Sequence, residues 1–132
     1  MDPAANVSGV AHVMLPSGPA PEGLAQEAKF ATSGVEKLVD KMVLEGAQPE
    51  SIRLALVGGA QMMTSGGALL TIGERNVEAA RAKVAELGLQ IVGEDVGGVV
   101  GRAVKLMTST GSVRITISGE QERQLCSLRL VS

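Results

Sequence analysis

The hydrophobic pattern predicts two strands and a helix in the first half of the chain. Apolar residues dominate positions 10–15, which we interpret as a strand, and they recur at helical spacing over residues 24–45. Gly46 is a suitable residue to end this helix, while the weak helix formers at 32–34 argue against one unbroken helix. A second strand is predicted at residues 52–60, where larger apolar residues alternate before a pair of glycines.

The second half of the chain predicts one further helix and several strands. Residues 74–88 carry the clearest helical pattern, with one apolar face and Gly88 as its stop. The predicted strands are residues 68–74, residues 89–98 running into an acidic glycine-rich loop, a hairpin of 103–107 with 113–117, and residues 124–131.

The order of these elements indicates the fold class. Helices alternate with apolar strands early in the chain, whereas hairpins dominate later, which is typical of a mixed sheet with helices packed on it. A length of 132 residues suits one domain. We therefore expect a single α/β domain that spans residues 1–132.

The first residues indicate a turn without its first strand. Asp2-Pro3 and Ser8-Gly9 are turn formers, and they lead into the predicted strand of residues 10–15. A hairpin turn needs a strand on each side, and a lone strand leaves an exposed edge. We therefore expect an N-terminal strand to be absent.

Composition excludes several classes of function. The net charge is −2 without a run of Lys or Arg, and Phe30 is the only aromatic residue, which argues against a nucleic-acid partner. The first 28 residues hold no Lys or Arg, unlike a secretory signal peptide. The uncharged residues 54–73 contain too many glycines and polar residues for a membrane span. We expect a soluble, cytoplasmic protein without membrane insertion.

Single copies of histidine and cysteine limit the chemistry. His12, the only histidine, lies in an apolar run, where it is either a hydrogen-bonded core residue or half of a catalytic pair. Cys126, the only cysteine, excludes an intramolecular disulfide, and we expect it to be a small apolar residue on the buried face of a strand. The chain has no Gly-x-Gly-x-x-Gly motif and no Gly-Lys pair, so neither nucleotide-binding fingerprint is present.

Three glycine-containing loops follow apolar strands, at residues 58–62, 72–76 and 93–98. Strand ends in open α/β sheets share one edge, so these loops are expected to meet there. Glu94 and Asp95 then either line a pocket or simply belong to a turn. Gly73 or Asn76 is expected to serve the start of the second helix. Arg75 is expected to reach Glu94 or Asp95, with contact to a partner as the alternative.

Five stretches together resemble one family in order and spacing, from Asp2 to about Ile117. They are DPAANVSGVAHVMLP, KFATSGVEKLVDKM, LVGGAQMM, IGERNVEAARAKVAELGLQIVGEDVGGVVGRAVKL and TGSVRI. The family is CheD, the chemoreceptor glutamine deamidases of bacterial chemotaxis. The resemblance implies an α/β/α sandwich with a mixed sheet, no metal and no cofactor. It also implies hydrolysis of glutamine side-chain amides on methyl-accepting chemoreceptors, giving glutamates and ammonia.

The resemblance gives His12 a role. Family members pair a cysteine in a Gly-Ser-Cys turn with the histidine of Ala-His-Val-Met-Leu-Pro, with a threonine nearby, and His12 matches that histidine. His12 would then deprotonate the thiol and donate a proton to the departing ammonia as a thioester forms. Chemoreceptors and a CheC-type phosphatase are the implied partners.

The chain departs from the family pattern at the nucleophile. In the family the cysteine and the threonine precede the Asp-Pro turn, and Cys126 lies at the opposite end of this chain. We therefore expect a truncated CheD-like domain that lacks an N-terminal segment. Three functions stay open: a deamidase whose full chain is longer, an inactive binding module for chemoreceptors or a CheC-type phosphatase, and an inactive remnant.

Overall fold

The computed structural model describes residues 1–18, 24–61 and 72–129. Its helices are α1 (Leu24–Lys29), α2 (Ala31–Leu44) and α3 (Ile72–Glu86), with a 3₁₀ turn at Pro49–Ser51. Its strands are β1 (Arg53–Gly58), β2 (Gln90–Val96), β3 (Arg102–Met107), β4 (Ser112–Ile117) and β5 (Arg123–Ser127).

The strands form two sheets with different pairing. β1 and β2 are parallel, and α3 lies between them in the chain, as the crossover between parallel strands requires. β3, β4 and β5 follow one another as an antiparallel sheet. Contacts of β2 with β5 and of β1 with β3 bring the two sheets together, while α2 packs on α3. The predicted α/β fold with a mixed strand arrangement is confirmed, as is the predicted hairpin, which is β3 and β4.

Buried apolar side chains form two clusters. The first lies where the end of α2 meets the approach to β1 and contains Val39, Met42, Ala47 and Ile52. The second lies between the sheets and contains Met1, Val113 and Leu128, with partly buried residues of β1, β2 and β5 around it. Among the helices that the structure describes, none is both long and apolar enough to cross a membrane.

Both long helices stop at the predicted glycines. At the end of α3, the Gly88 N–H donates to the carbonyl of Ala85 over 3.1 Å, and the Leu89 N–H donates to that of Val84 over 3.0 Å. This pair of bonds satisfies helix carbonyls that would otherwise lack a partner, and it needs a left-handed residue. Gly88 supplies it with φ of 69°, and Gly46 after α2 has φ of 109°.

The predicted helix over residues 24–45 is broken at Phe30. This residue is extended, with φ of −100° and ψ of 141°, and forms a parallel bridge with Leu15. Only 5% of Phe30 is exposed, so the break buries the only aromatic side chain of the protein. Residues 32–34, where a break was expected, are helical within α2.

The predicted strand at residues 10–15 is wrong. Residues 8–14 belong to neither a helix nor a strand, and Leu15 makes only the single bridge to Phe30. The reason is a competing acceptor: the Lys29 carbonyl at the end of α1 accepts the N–H groups of Met14 at 2.8 Å and Leu15 at 3.1 Å. The expected unpaired ladder of this strand therefore does not exist.

Two other strand predictions are corrected. Residues 72–74, expected at the end of a strand, are the first described turn of α3, and residues 68–71 lie outside the described part of the chain. The last strand, β5, ends at Ser127, and residues 130–131 of the predicted strand lie outside the described part of the chain. The Leu128 N–H still donates to the Gly111 carbonyl over 2.7 Å, in register with the Ser112–Ser127 pair, but the Gly111 N–H turns to the Met107 carbonyl, so the exchange stops there.

Met1 is part of the core. Its side chain is 4% exposed, its amino group donates to the Arg53 carbonyl over 2.8 Å, and the Arg53 N–H donates to the Met1 carbonyl over 2.9 Å. This reciprocal exchange is the hydrogen-bonded pair of an antiparallel ladder. Burial lowers the pKa of the Met1 amino group.

Asp2 closes the turn that follows Met1. Its main chain exchanges hydrogen bonds with Val7, so residues 2–7 form a closed turn, as the Asp-Pro signal predicts. One carboxylate oxygen accepts the Ala4 and Ala5 N–H groups, and the other accepts the Gln48 N–H over 2.9 Å. Asp2 is 1% exposed, and its carboxylate is stabilised chiefly by these main-chain N–H groups, with a smaller contribution from the Met1 ammonium.

The glycine segments after β1 and at the end of β2 meet at one edge, as predicted, whereas residues 72–76 are the start of α3 rather than a loop. Because β1 and β2 are parallel, their last residues lie side by side. The Gly97 N–H donates to the Gly58 carbonyl, and the Gln61 N–H donates to the Gly98 carbonyl, both over 2.9 Å. The start of α3 packs on the first of these loops through Gly73.

Protonation of Asp2 should destabilise the fold. The N–H groups of Gln48 and Ala5, followed by that of Ala4, hold the pKa of the Asp2 carboxyl below its usual value. Stabilisation from such a group is present above its pKa in the unfolded chain and is lost as the pH falls through its folded pKa. In urea unfolding over a pH series, Asp2→Asn should have a lower free energy of unfolding than wild type near neutrality. The two free energies should become equal in acid.

Asp40→Asn, on the exposed side of α2, is the matched control and should not alter the pH dependence. A difference between wild type and Asp2→Asn that stays constant from neutral to acid pH would contradict this assignment.

Gly73→Ala should destabilise the protein. This is expected although alanine is a better helix former than glycine by about 1 kcal/mol. A Cβ at this position would lie 2.3 Å from the Gly59 carbonyl oxygen and 2.6 Å from that of Ala60. Overpacking of this kind costs about 1–3 kcal/mol. Urea unfolding should show the loss, whereas Gly101→Ala, with no atom within 4 Å of its Cβ, should change little.

Candidate active site

His12 lies on the surface in the irregular segment of residues 8–14. Its side chain is exposed, and two exposed apolar residues flank it: Val10 at 72% and Met14 at 61% exposure. The interpretation of His12 as a buried core residue is therefore wrong. The imidazole is accessible to a large partner, and its catalytic role stays a prediction.

Helix α2 supports the His12 segment on both sides of the imidazole. A Cβ at Gly9 would lie 2.7 Å from Leu38 Cδ1, and one at Gly34 would lie 2.9 Å from Val13 Cγ1. Two glycines, one in the segment and one in α2, therefore allow this close packing. The segment therefore contacts α2 before and after His12, although it pairs with no neighbouring strand.

Main-chain bonds at the junction of α1 and α2 hold the next residues. The Lys29 carbonyl accepts two N–H groups of the segment, as described above, and the Ala31 N–H donates to the Leu15 carbonyl over 2.7 Å. These bonds use the free carbonyl at the end of α1 and the free N–H at the start of α2.

Helix α3 adds a side-chain contact that the sequence did not indicate. Asn76 Nδ2 donates to the Met14 carbonyl oxygen over 3.1 Å. The sequence predicted that Gly73 or Asn76 would serve the helix start, but Gly73 packs on the loop after β1 and Asn76 binds the His12 segment. The only feature of the sequence that could have indicated this contact is the presence of asparagine, a weak helix former, inside a helical pattern.

The two carboxylates of β2, Glu94 and Asp95, both form ion pairs. Glu94 accepts two bonds from the Arg81 guanidinium, at 3.0 and 2.6 Å, which lowers the pKa of Glu94. Asp95 binds Arg102 over 2.8 Å and also Arg123. The prediction that Arg75 reaches these carboxylates is wrong, because arginines from α3, β3 and β5 occupy them.

These ion pairs favour a structural role for Glu94 and Asp95 over a pocket, but both residues belong to β2 and not to the predicted turn. Arg102, whose side chain is 7% exposed, also donates to the Gly58 carbonyl over 3.3 Å. The Asp95–Arg102 pair therefore ties the end of β1 to β2 and β3. Among residues 1–18, 24–61 and 72–129, no group of three or more His, Cys, Asp or Glu residues could hold a metal ion.

Cys126 lies on β5 and packs, partly buried, against the core cluster between the sheets, in line with the prediction of a small apolar residue. Its Sγ would lie 3.0 Å from a Cβ at Gly93, so the thiol fills space that a glycine of β2 leaves open. Burial raises the pKa of the Cys126 thiol. This environment disfavours the thiolate that a nucleophile needs.

Comparison with known proteins gives one consistent result. Residues 14–117 match the family model described as CheD, CheD chemotactic sensory transduction, and the match begins two residues after His12. A probable chemoreceptor glutamine deamidase CheD of Caldanaerobacter subterraneus is 38% identical over 120 residues, which is 89% of this chain and 74% of the relative.

Two other relatives are similar over the same length. A probable chemoreceptor glutamine deamidase CheD of Natronomonas pharaonis is 37% identical over 125 residues, covering 94% of this chain and 74% of the relative. The chemoreceptor glutamine deamidase CheD of Halalkalibacterium halodurans is 38% identical over 128 residues, covering 92% and 78%. Together with the family model, these similarities over most of its length show that the chain belongs to the CheD family.

Proposed function

We propose that this protein deamidates glutamine side chains of chemoreceptors, with His12 as the group that transfers protons. The relatives carry this activity in their names, and His12 is assigned its role by the resemblance of Ala-His-Val-Met-Leu-Pro to the family motif. The structural observation that supports the proposal is the exposure of His12 between the exposed side chains of Val10 and Met14. A base that acts on a side chain of another protein has to be accessible in this way.

The proposed reaction uses two nucleophiles in turn, first a thiolate and then water. An imidazole that takes the proton of a thiol generates a thiolate, which attacks the amide carbon of the glutamine. The C–N bond then breaks, ammonia leaves with the proton from His12, and a thioester forms. Water, deprotonated by the same imidazole, hydrolyses the thioester to the glutamate carboxylate and frees the thiol.

The surface around His12 suits a protein substrate. Val10 and Met14 provide an apolar border on both sides of the imidazole, and Met is an adaptable contact residue. We infer that this border covers the aliphatic part of the receptor surface next to the target glutamine. Chemoreceptors are thus the proposed partners in a cytoplasmic setting, with a CheC-type phosphatase as a further proposed partner.

Cys126 does not fit the role of the thiol. It is partly buried against the core between the sheets, and burial raises the pKa of its thiol. The 132 residues contain no other cysteine. We infer that the thiol for the reaction is additional to these residues.

The 132-residue chain alone should therefore not deamidate a chemoreceptor fragment, whereas the same chain with a Gly-Ser-Cys turn added ahead of Met1 should. Without a thiolate, a general base such as His12 supplies only about 10²–10⁴-fold. An added peptide leaves the Met1 N–H as a donor to Arg53. Mass spectrometry of the fragment should detect conversion of amide to acid only with the extended chain.

In the extended chain, His12→Ala should abolish the reaction and Cys126→Ala should not affect it. Deamidation by the 132-residue chain that survives Cys126→Ala would show that no added thiol is needed. Full activity of the extended His12→Ala variant would overturn the proposed role of His12.

The Cys126 thiol should react slowly with iodoacetamide at neutral pH in the folded protein. Burial disfavours its thiolate, so the rate should be well below that of the same chain unfolded in urea, which is the internal control. The rate should also rise with pH. Equal rates in the folded and unfolded chain at neutral pH would contradict the buried environment.

A further inference from the structure

We propose that Asn76 is a positioning residue for His12: its side-chain amide fixes the peptide group after Met14 and so the direction of the His12 segment. This inference rests on the proposed function only in the role it gives His12. The contact itself is a property of the fold, and it can be tested without any deamidation.

One peptide group of the segment is held at both of its ends. The peptide between Met14 and Leu15 donates through the Leu15 N–H to the Lys29 carbonyl over 3.1 Å. Its carbonyl oxygen accepts from Asn76 Nδ2 over 3.1 Å. The N–H and C=O of a trans peptide point in opposite directions, so these two bonds define the orientation of its plane. The Met14 N–H and the Leu15 carbonyl are also bonded, to Lys29 and Ala31, so the Met14 carbonyl is the group of this stretch that Asn76 alone holds.

The hydrogen-bonding capacity of the Met14 carbonyl decides which end of the Asn76 side-chain amide faces it. A main-chain carbonyl oxygen only accepts hydrogen bonds, so the nitrogen of the carboxamide has to face Met14. The Oδ1 atom therefore points away from Met14. It is buried, and it has no hydrogen-bond partner among the residues that the structure describes.

Asn76 is unfavourable for the stability of α3 on two counts. Asparagine is a weak helix former because its side chain competes for main-chain groups. A buried acceptor without a partner is rare in folded proteins and needs an explanation. Alanine would avoid both costs, but it could not hold the Met14 carbonyl. Residues that break such local rules concentrate at functional sites, and Asn76 acts two residues from His12.

Three variants of the 132-residue chain test the proposal by NMR hydrogen exchange and by the resonances of the His12 imidazole. Asn76→Ala removes the donor and should lower the protection factor of the Leu15 amide about five- to tenfold, the usual effect of one hydrogen bond. The His12 imidazole resonances should shift or broaden at the same time. Arg81→Ala is the matched control, since it removes an exposed ion pair of α3 away from the segment.

Asn76→Asp gives a signature that a general loss of stability cannot give. Its ionised carboxylate only accepts hydrogen bonds and repels the Met14 carbonyl, whereas its protonated form can donate to it. Compared with wild type at each pH, Leu15 protection should therefore be low near neutrality and should recover as the introduced carboxyl is protonated. This variant also decides the question if Asn76→Ala does not fold.

The outcomes separate the inference from the proposed function. Wild-type Leu15 protection and wild-type imidazole resonances in folded Asn76→Ala would overturn the positioning role, as would a pH-independent Asn76→Asp. If Asn76→Ala and Asn76→Asp both change Leu15 protection and the imidazole resonances as expected, the inference holds. In the chain extended with a Gly-Ser-Cys turn, Asn76→Ala should then lower kcat with little change in KM. Unchanged kcat with altered Leu15 protection would uphold the contact but reject its role in positioning His12 for catalysis, whereas the His12→Ala variant tests the proposed function by itself.

Discussion

The packing of α3 on the loop after β1 is the constraint on which the rest of the candidate site depends. Gly73 lies so close to the Gly59 carbonyl that no side chain fits between them, which fixes α3 at the edge where the parallel strands end. From this position the same helix reaches two other parts of the molecule. Asn76 binds the Met14 carbonyl, and Arg81 pairs with a carboxylate of β2. A shift of α3 would disturb both contacts together.

The local sequence pattern was sufficient to predict those elements whose own residues mark them, through an apolar face, a terminal glycine or a turn. The apolar face and final glycine of α3, the glycines after β1 and the β3–β4 hairpin were all predicted within a few residues. It failed where a distant group competes for the main chain. Residues 10–15 have the composition of a strand, but the carbonyl at the end of α1 takes their N–H groups, and nothing in the local pattern shows that acceptor.

The side chains of the site were predicted less well, for geometric reasons. Arg75 and Arg81 are six residues apart, which places their side chains about 120° apart around a helix. Only the face on which α3 packs decides which of them reaches Glu94, and the sequence pattern did not specify that. The partner of Asn76 lies 62 residues away in the chain, so its contact is a property of the tertiary structure alone. The exposure of His12 likewise follows from the failure of residues 10–15 to form a strand.

The single histidine and the single cysteine occupy opposite environments, and this difference explains how the site can work. Cys126 fills core space, where burial disfavours its ionised form. His12 stands in solvent on a segment without a ladder, which gives a protein substrate access but leaves the main chain weakly held. The contacts from α2, from Lys29 and from Asn76 take the place of that ladder. Under the proposed function, these contacts reconcile an accessible imidazole with the fixed geometry that proton transfer requires.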